Sequence, residues 1–174
     1  MEWFKRLFVR PPEQYKILDV SPPPRIILAE SCFAGLLQCL VPAKINRHEG
    51  VALLLGRTDG ITSVCVQAVR PRAKTTRGSF EISAAEMAMV VGHATALDLQ
   101  IVAQVHTHPE QAFHSAGDEE GANIRFDGFV SIVIPNYGAA LPSLSDSAVY
   151  IFSRAKGWEL LPLSSLRILP GATP

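Results

Sequence analysis

The apolar residues of this chain fall into short runs that are typical of buried β-strands. Residues 50–56, 100–105 and 129–134 are largely apolar and no longer than ordinary strands. Residues 148–153 and 157–161 flank Ala155 and Lys156, which is the pattern of a hairpin. The runs predict a sheet whose inner strands are covered on both faces.

Two other segments have apolar residues at helical spacing. The first keeps this spacing up to Pro42, which we expect to stop the helix. Its apolar residues are Phe33, Leu36, Leu37 and Leu40. The second begins at Ser83 and Glu86, which have the spacing of a capping box, and runs to about Asp98. Its apolar stripe comprises Met87, Val90, Val91, Ala94 and Leu97. Together with the strands, these helices predict an α/β fold in which helices flank a mixed, curved β-sheet.

The remaining segments are predicted from turn signals. Residues 25–28 form a short strand, and residues 61–69 form a strand after the Asp59-Gly60 turn, paired with the run before it. Residues 70–77 carry several basic side chains and are expected to be a solvated loop, with a weak contact to a binding partner as the alternative. Residues 135–146 form a loop rich in turn-forming residues, which can border a functional cleft.

The chain is expected to form one domain with two flanking segments. Residues 1–24 are predicted to be an N-terminal extension, because prolines at 11–12 and 22–24 break any continuous helix. Its aromatic cluster around Trp3 is expected to pack on the domain, with a docking or membrane-surface role as the alternative. The domain is assigned to residues 25–162, and residues 163–174 are predicted to be a C-terminal tail.

Size, charge and cysteine content narrow the class of protein. The chain has 174 residues, of which 48% are hydrophobic, which suits one domain with a substantial core. Its 16 basic and 16 acidic residues cancel, which argues against a nucleic-acid partner. Three cysteines without CxxC spacing indicate buried thiols rather than disulfides. No apolar run is long enough to cross a membrane, and a cytoplasmic location is the expectation.

A candidate metal site stands where one of the apolar runs ends. His106 and His108 are two residues apart in the predicted strand, so both side chains point to the same face, along with Val102 and Gln104. Asp118 lies in the first turn of a helix that Ser115 is expected to cap, with Glu119 and Glu120 in the same turn. Two imidazoles and one carboxylate, with a fourth position open to water, form the ligand set of a catalytic zinc site.

Such a site needs a base, and Glu49 is the candidate. It precedes the apolar run of residues 50–56, where a carboxylate contributes little to packing. Each residue also has a purely structural interpretation: a satisfied core histidine, a helix cap, or a surface charge. Taken together and in this order, the residues favour the metal site.

The combined pattern resembles the JAMM (MPN+, JAB-type) family of zinc metalloproteases. The resemblance covers about residues 25–155 and consists of Glu49 with Gly56, then residues 106–109 (His-Thr-His-Pro), then Ser115 and Asp118. It implies the three-layer arrangement of MPN/JAB proteins, which is similar to that of cytidine deaminases. One departure concerns the loop between His108 and Ser115, whose six residues are one fewer than the family usually has. The tighter loop puts the position of Ser115 in question more than that of the histidines.

The resemblance also implies roles and partners. Zn²⁺ would be held by His106, His108 and Asp118, Glu49 would act as general base and acid, and Ser115 would bind the developing oxyanion. The implied substrate is a ubiquitin-like protein or its conjugates, cleaved after the C-terminal tail through an isopeptide or linear bond. The prokaryotic branch implies a ubiquitin-like conjugation system, including antiviral versions, or a sulfur-carrier system. Ubiquitin-activating-like and ubiquitin-conjugating-like proteins of the same operon would be further partners.

Two alternatives remain from the sequence. A non-catalytic MPN-type scaffold shares the fold, but it lacks the metal ligands that this chain has. A RadC-type protein linked to DNA metabolism shares the motif, but it fits poorly with a net charge of zero. The sequence therefore favours the peptidase.

Overall fold

The computed structural model describes residues 25–115, 117–118 and 124–171. The expected N-terminal extension lies outside these residues. The strands are β1 (Ile26–Ala29), β2 (Val51–Thr58), β3 (Ser63–Val69), β4 (Ala73–Thr75), β5 (Phe80–Ile82), β6 (Gln100–Thr107), β7 (Val130–Ile134), β8 (Ala148–Ser153), β9 (Gly157–Leu161) and β10 (Leu166–Leu169). The helices are α1 (Glu30–Asn46) and α2 (Ala84–Ala96), with single 3₁₀ turns at Asn136–Gly138 and Leu163–Ser165.

Eight of these strands form one mixed sheet, as the sequence predicted. Its order is β10-β1-β3-β2-β6-β7-β8-β9, and β4 and β5 form a separate hairpin. The parallel pairs are β1 with β10, β1 with β3, and β6 with β7, whereas the other neighbours are antiparallel. In the centre of the sheet, β2 and β6 lie side by side, so the start of β2 meets the end of β6.

The two helices cover opposite faces of the sheet. Two consecutive residues of β2 show this, because their side chains point to opposite faces. Leu54 packs in the cluster that contains Leu36 of α1. Leu53 packs in the cluster that contains Val90 of α2. All four are almost fully buried. The predicted helix–sheet–helix layers are therefore confirmed.

Helix α1 continues past Pro42, which corrects the prediction that this proline stops it. The helix ends only at Arg47, which adopts a left-handed conformation with φ of 51°. The last turn carries Ala43, which is buried. A Cβ on Gly50 would lie only 2.5 Å from the Ala43 Cβ, so the two backbones are closely packed. Tertiary packing thus holds a helical turn that proline disfavours.

The basic segment after β3 is a hairpin rather than the predicted solvated loop. β4 and β5 pair from Ala73 with Ile82 to Thr75 with Phe80. Ile82 is buried and anchors one end. A strand prediction depends on alternating apolar and polar residues, and the charged side chains of this segment interrupt that alternation.

Residues 166–169 are part of the sheet, which corrects the prediction of a tail from residue 163. β10 pairs with β1 in parallel, from Ile26 with Leu166 to Ala29 with Leu169. Such a pair joins residues that are far apart in sequence, so local sequence patterns do not predict it.

The strand β6 contains a bulge that moves Val102 to the α1 side of the sheet. Its register with β2 shifts between Leu54 and Leu55, and Val102 joins the cluster on the α1 face. The prediction that Val102 shares a face with the histidines is therefore wrong, whereas Gln104 lies beyond the bulge and borders the same cleft as Asp118.

Helix α2 begins as predicted and is less buried than predicted. Ser83 caps it by accepting a hydrogen bond from the Glu86 backbone N–H at 3.2 Å. Val90 and Ala94 are buried, but Val91 is 48% exposed. In the described part of the chain, no helix is long and apolar enough to span a membrane.

Candidate metal centre

The backbone connects the two strand ends that carry the predicted site residues. The Gly50 N–H donates to the Thr107 side-chain oxygen at 2.8 Å, and the Thr107 N–H donates to the Gly50 carbonyl at 2.9 Å. Thr107 itself lies between the two histidines. These two bonds therefore place Glu49, the neighbour of Gly50, opposite the imidazole pair.

The three predicted ligands converge at the end of β6. His106 is 0% exposed and His108 is 5% exposed, and their Nε2 atoms are 3.2 Å apart. Asp118 places Oδ1 at 3.2 Å from the His106 Nε2 and Oδ2 at 3.1 Å from the His108 Nε2. The end of β6, the residue directly after it and the short helical segment at Asp118 thus bring two imidazoles and one carboxylate together.

These residues fit a divalent metal by distance and by chemistry. Zinc binds imidazole nitrogen at about 2.0–2.1 Å, so two ligands of a tetrahedral site lie about 3.3 Å apart. The two Nε2 atoms are 3.2 Å apart, close to this value, and each of them lies 3.1 to 3.2 Å from one of the two Asp118 oxygens. Two imidazoles and a carboxylate also form a common ligand set for catalytic zinc. The group of His106, His108 and Asp118 can therefore hold a metal ion.

The carboxylate of Asp118 is held in its charged form. Burial alone would raise its pKa, but hydrogen bonds with His106, His108 and Ser115 outweigh burial and hold the pKa far below the usual range. The histidines differ from each other: burial lowers the pKa of His106, whereas contact with Asp118 outweighs burial and raises that of His108. A charged carboxylate beside two imidazoles is the arrangement that a cation requires.

Ser115 lies beside Asp118 despite the shorter loop. Its backbone N–H and its hydroxyl each donate to the Asp118 Oδ2 at 2.7 Å, and its Oγ accepts from the Asp118 N–H at 3.2 Å. Gly117 and Asp118 have helical backbone conformation, in keeping with the predicted cap. The other predicted residues of that turn, Glu119 and Glu120, lie outside the described residues.

Glu49 is a buried carboxyl group at the same cleft. It is 5% exposed, and its backbone N–H donates to the Thr76 carbonyl at 2.7 Å, which attaches it to the β4–β5 hairpin. Burial raises its pKa to about 7; the interaction with His108 lowers the pKa, and the negative charge of Asp118 raises it further. A carboxyl group with such a pKa can both accept and return a proton near neutral pH.

One cleft connects these residues with the hairpin. Glu49, Ser115 and Asp118 line it from the sheet side, and Gly78 and Phe80 line it from the β4–β5 hairpin. The Phe80 ring lies 5.4 Å from the His106 ring, centroid to centroid. The hairpin that the sequence left as a loop thus forms one wall of the site.

The structure adds residues that the sequence pattern did not assign to the site. Tyr137 donates its N–H to the His108 carbonyl and its hydroxyl to the Arg77 carbonyl, both at 2.8 Å, so the loop after β7 supports the site. His114 packs its ring 4.6 Å from that of Trp158 and 6.2 Å from that of His106. Burial lowers the pKa of His114 to about 4, so the ring is neutral at pH 7. Its position directly before Ser115 was the only sequence signal.

Comparison with known proteins gives one family and one fold. Residues 43–150 match the family described as prokaryotic homologs of the JAB domain. The chain is 28% identical over 145 residues to the probable metalloprotease y4jG of Sinorhizobium fredii (strain NBRC 101917 / NGR234), a match that covers 81% of this chain and 90% of that protein. The solution structure of protein DSY2949 from Desulfitobacterium hafniense superposes with a TM-score of 0.62 at 17% identity, covering 84% of this chain and 92% of that one. At that identity the likeness concerns the fold alone.

The family match spans the residues that build the site. Glu49, the two histidines, Ser115 and Asp118 all lie within residues 43–150, which make up more than half of the chain. The JAB-type resemblance of the sequence is thereby confirmed, and the chain belongs to the family of prokaryotic homologues of the JAB domain.

Proposed function

We propose that this chain is a zinc-dependent peptidase or isopeptidase that cleaves after the C-terminal tail of a ubiquitin-like protein. The observation that carries the proposal is the convergence of His106, His108 and Asp118 on one point beside the buried Glu49. The family match and the description of the y4jG relative as a probable metalloprotease support the same reaction class.

The residues divide the chemistry among themselves. A bound zinc ion would supply a Lewis acid and lower the pKa of a coordinated water to about 7. Glu49 takes a proton from the attacking water and returns it to the leaving amine, which its pKa of about 7 allows at neutral pH. Burial of the site keeps other water molecules away from the Glu49 carboxylate, where they would compete with the attacking water for its hydrogen bonds.

Ser115 is proposed to stabilise the negative oxygen of the tetrahedral intermediate. Its hydroxyl has one proton, which is donated to Asp118 in the structure. Transfer of this bond to the substrate oxygen leaves the Asp118 Oδ2 with the Ser115 backbone N–H as a remaining donor. The loss of one bond is therefore partly compensated, and the donor is already at the reaction centre.

The shape of the cleft supports an extended, small-residue substrate. The hairpin wall presents Gly78 and Ser79 next to Phe80, so little side-chain volume stands between β5 and Glu49. β4 and β5 pair with each other alone among the described strands, and each leaves one edge that can pair with an extended peptide. A glycine-rich tail of a ubiquitin-like protein suits such a narrow channel.

The setting that we propose is a cytoplasmic conjugation or sulfur-carrier system. In a conjugation system, proteins resembling ubiquitin-activating and ubiquitin-conjugating enzymes from the same operon would be partners, and an antiviral role would follow from such an operon. The net charge of zero supports a protein partner over nucleic acid. Co-purification with the products of neighbouring genes tests this setting independently of the chemistry.

The central test joins metal content with hydrolysis. The purified chain is expected to bind one zinc ion and to cleave a ubiquitin-like protein from a C-terminal fusion, and a chelator should abolish cleavage until zinc is restored. His106→Ala and Asp118→Ala should lose both zinc and activity, because each removes a ligand. Zinc binding without hydrolysis of any ubiquitin-like fusion would overturn the proposed substrate class, and a chain without zinc and without activity would favour the scaffold. Undiminished zinc in the two variants would refute the ligand assignment.

A further inference from the structure

His106 and two residues on the same face of the sheet carry buried polar atoms that have no hydrogen-bond partner. Within the described residues, the buried side-chain nitrogens and oxygens without a hydrogen-bond partner are the His106 Nδ1, the His114 Nδ1 and the Ser131 Oγ. A buried polar atom left unpaired destabilises the fold, so such atoms are rare and call for an explanation. That all three belong to residues on one face of the sheet suggests a common partner.

The sheet register brings Ser131 to this place. Ser131 pairs with Gln104 on the neighbouring strand β6, and Gln104 is two residues before His106, so the three side chains share one face. Ser131 is 1% exposed, and its partner on the other side is Tyr150 of β8. Ser131 is therefore on β7, between β6, which carries His106, and β8, which carries Tyr150.

The His114 side chain packs over this region of the sheet. Its ring centroid is 5.0 Å from that of Tyr150, 4.6 Å from that of Trp158 and 6.2 Å from that of His106, and its backbone N–H donates to the Tyr150 hydroxyl at 3.2 Å. The aromatic contacts fix the ring against the β8–β9 hairpin. Its neutral form keeps one nitrogen as an acceptor.

As a metal ligand, His106 needs a hydrogen-bond acceptor for the N–H of its other ring nitrogen. Its Nε2 faces Asp118 and His108, so as a metal ligand it presents the lone pair there and carries its proton on Nδ1. A metal-binding histidine almost always donates that second N–H, and the donation fixes the ring and raises its basicity. In the described part of the chain, the other two buried side-chain atoms without a partner belong to Ser131, on the neighbouring strand, and to His114, whose ring lies 6.2 Å from that of His106.

We propose that Ser131 and His114 are positioning residues for the metal ligand His106, joined to its Nδ1–H by one buried water molecule. The water accepts from the His106 Nδ1–H and the Ser131 hydroxyl, and it donates to the His114 Nδ1. Three bonds are typical of a buried water. This inference rests on the metal site of the proposed function, and it concerns residues outside the set of ligands and catalytic groups.

Zinc affinity of the full chain, measured by competition with a chelator, tests the proposal without any substrate. Ser131→Ala removes the hydroxyl, and His114→Phe keeps the stacked ring without its nitrogens. Both should weaken zinc binding by about 10- to 100-fold. His114→Asn, whose side-chain oxygen can replace Nδ1 as the acceptor, should restore most of the affinity. His93→Phe, on the exposed side of α2, is the matched control and should bind zinc like the wild type.

Two further measurements separate positioning from loss of structure. The metal-free variants should unfold within a few degrees of the wild type, because each change removes a polar atom that has no protein partner. In the zinc-loaded wild type, nitrogen-edited NMR should detect a His106 Nδ1–H that exchanges slowly with solvent, and Ser131→Ala should speed this exchange.

The outcomes distinguish this inference from the proposed function. Equal zinc affinity in wild type, Ser131→Ala and His114→Phe overturns the positioning role while leaving the peptidase intact. His114→Asn binding no better than His114→Phe overturns the role of the Nδ1 acceptor. A wild-type chain that binds no zinc at all overturns both proposals.

Discussion

The two faces of the central sheet have different contents. The face under α1 is a continuous apolar cluster that includes Leu36, Leu54 and Val105, all at most 1% exposed. The opposite face has a smaller apolar cluster under α2, and it also carries buried polar groups such as Glu49 and His106. One face is therefore occupied by packing alone, whereas the other is shared between packing and chemistry.

This difference arises within single strands. Along β6, Val105 points into the α1 cluster, and the next residue, His106, points to the candidate metal site. A buried imidazole or carboxylate contributes less to folding than an aliphatic side chain would, because burial penalises its charged form. The α1 face thus supplies the stability that permits polar groups on the other face, and substitutions on the two faces should separate stability from activity.

The largest expected effect is on the polar face. Glu49→Gln keeps the size of the side chain but removes the proton acceptor, so kcat should fall by at least about 10²–10⁴-fold while zinc is retained. Hydrolysis of a ubiquitin-like fusion and metal analysis of the same sample measure both quantities. Full activity in this variant would remove Glu49 from its proposed role.

The apolar face should give the opposite result. Leu36→Ala creates a cavity between α1 and the sheet, and it should lower the free energy of unfolding by about 2–5 kcal/mol. Denaturant unfolding measures this loss. Below the unfolding transition, its zinc affinity and kcat should stay near those of the wild type, and a comparable loss of activity there would show that the two faces are not separable.

Ser115→Ala should have an intermediate effect that is confined to the chemical step. Loss of one oxyanion donor typically costs about 2.7–4 kcal/mol in transition-state stabilisation, which corresponds to a 10²–10³-fold lower kcat. Zinc content should be unchanged, because the backbone N–H of residue 115 still holds Asp118. A variant with normal kcat would mean that the shorter loop has removed Ser115 from the reaction.

Local sequence patterns were sufficient for most of this architecture. The apolar runs predicted β2, β6 and β7, the Ser83 cap marked the start of α2, and strand alternation placed His106 and His108 on one face. Each of these features depends on neighbouring residues only. The grouping of the candidate ligands was predictable for the same reason, since His106 lies at the end of β6 and His108 directly follows that strand.

The features that were missed depend on contacts between distant segments. The helical turn after Pro42 is stabilised by packing of Ala43 against Gly50. The strand β10 is stabilised by pairing with β1, which lies at the other end of the described chain. The environment of His114 depends on Trp158, which no spacing in the sequence connects to it. Such contacts leave no periodicity for a local pattern to show.

The smallest expected effect is a pH dependence of stability caused by Glu49. In the metal-free chain, burial raises its pKa from 4.5 to about 7. The folded state therefore favours the neutral carboxyl group, and the resulting stabilisation is complete below pH 4.5 and lost as the pH rises through about 7. Glu49→Gln removes this term, so its stability relative to the wild type should increase by about 1–3 kcal/mol between pH 5 and pH 8. Denaturant unfolding of both chains in chelator at the two pH values measures the difference. A constant difference would mean that Glu49 is already ionised at pH 5 in the folded chain.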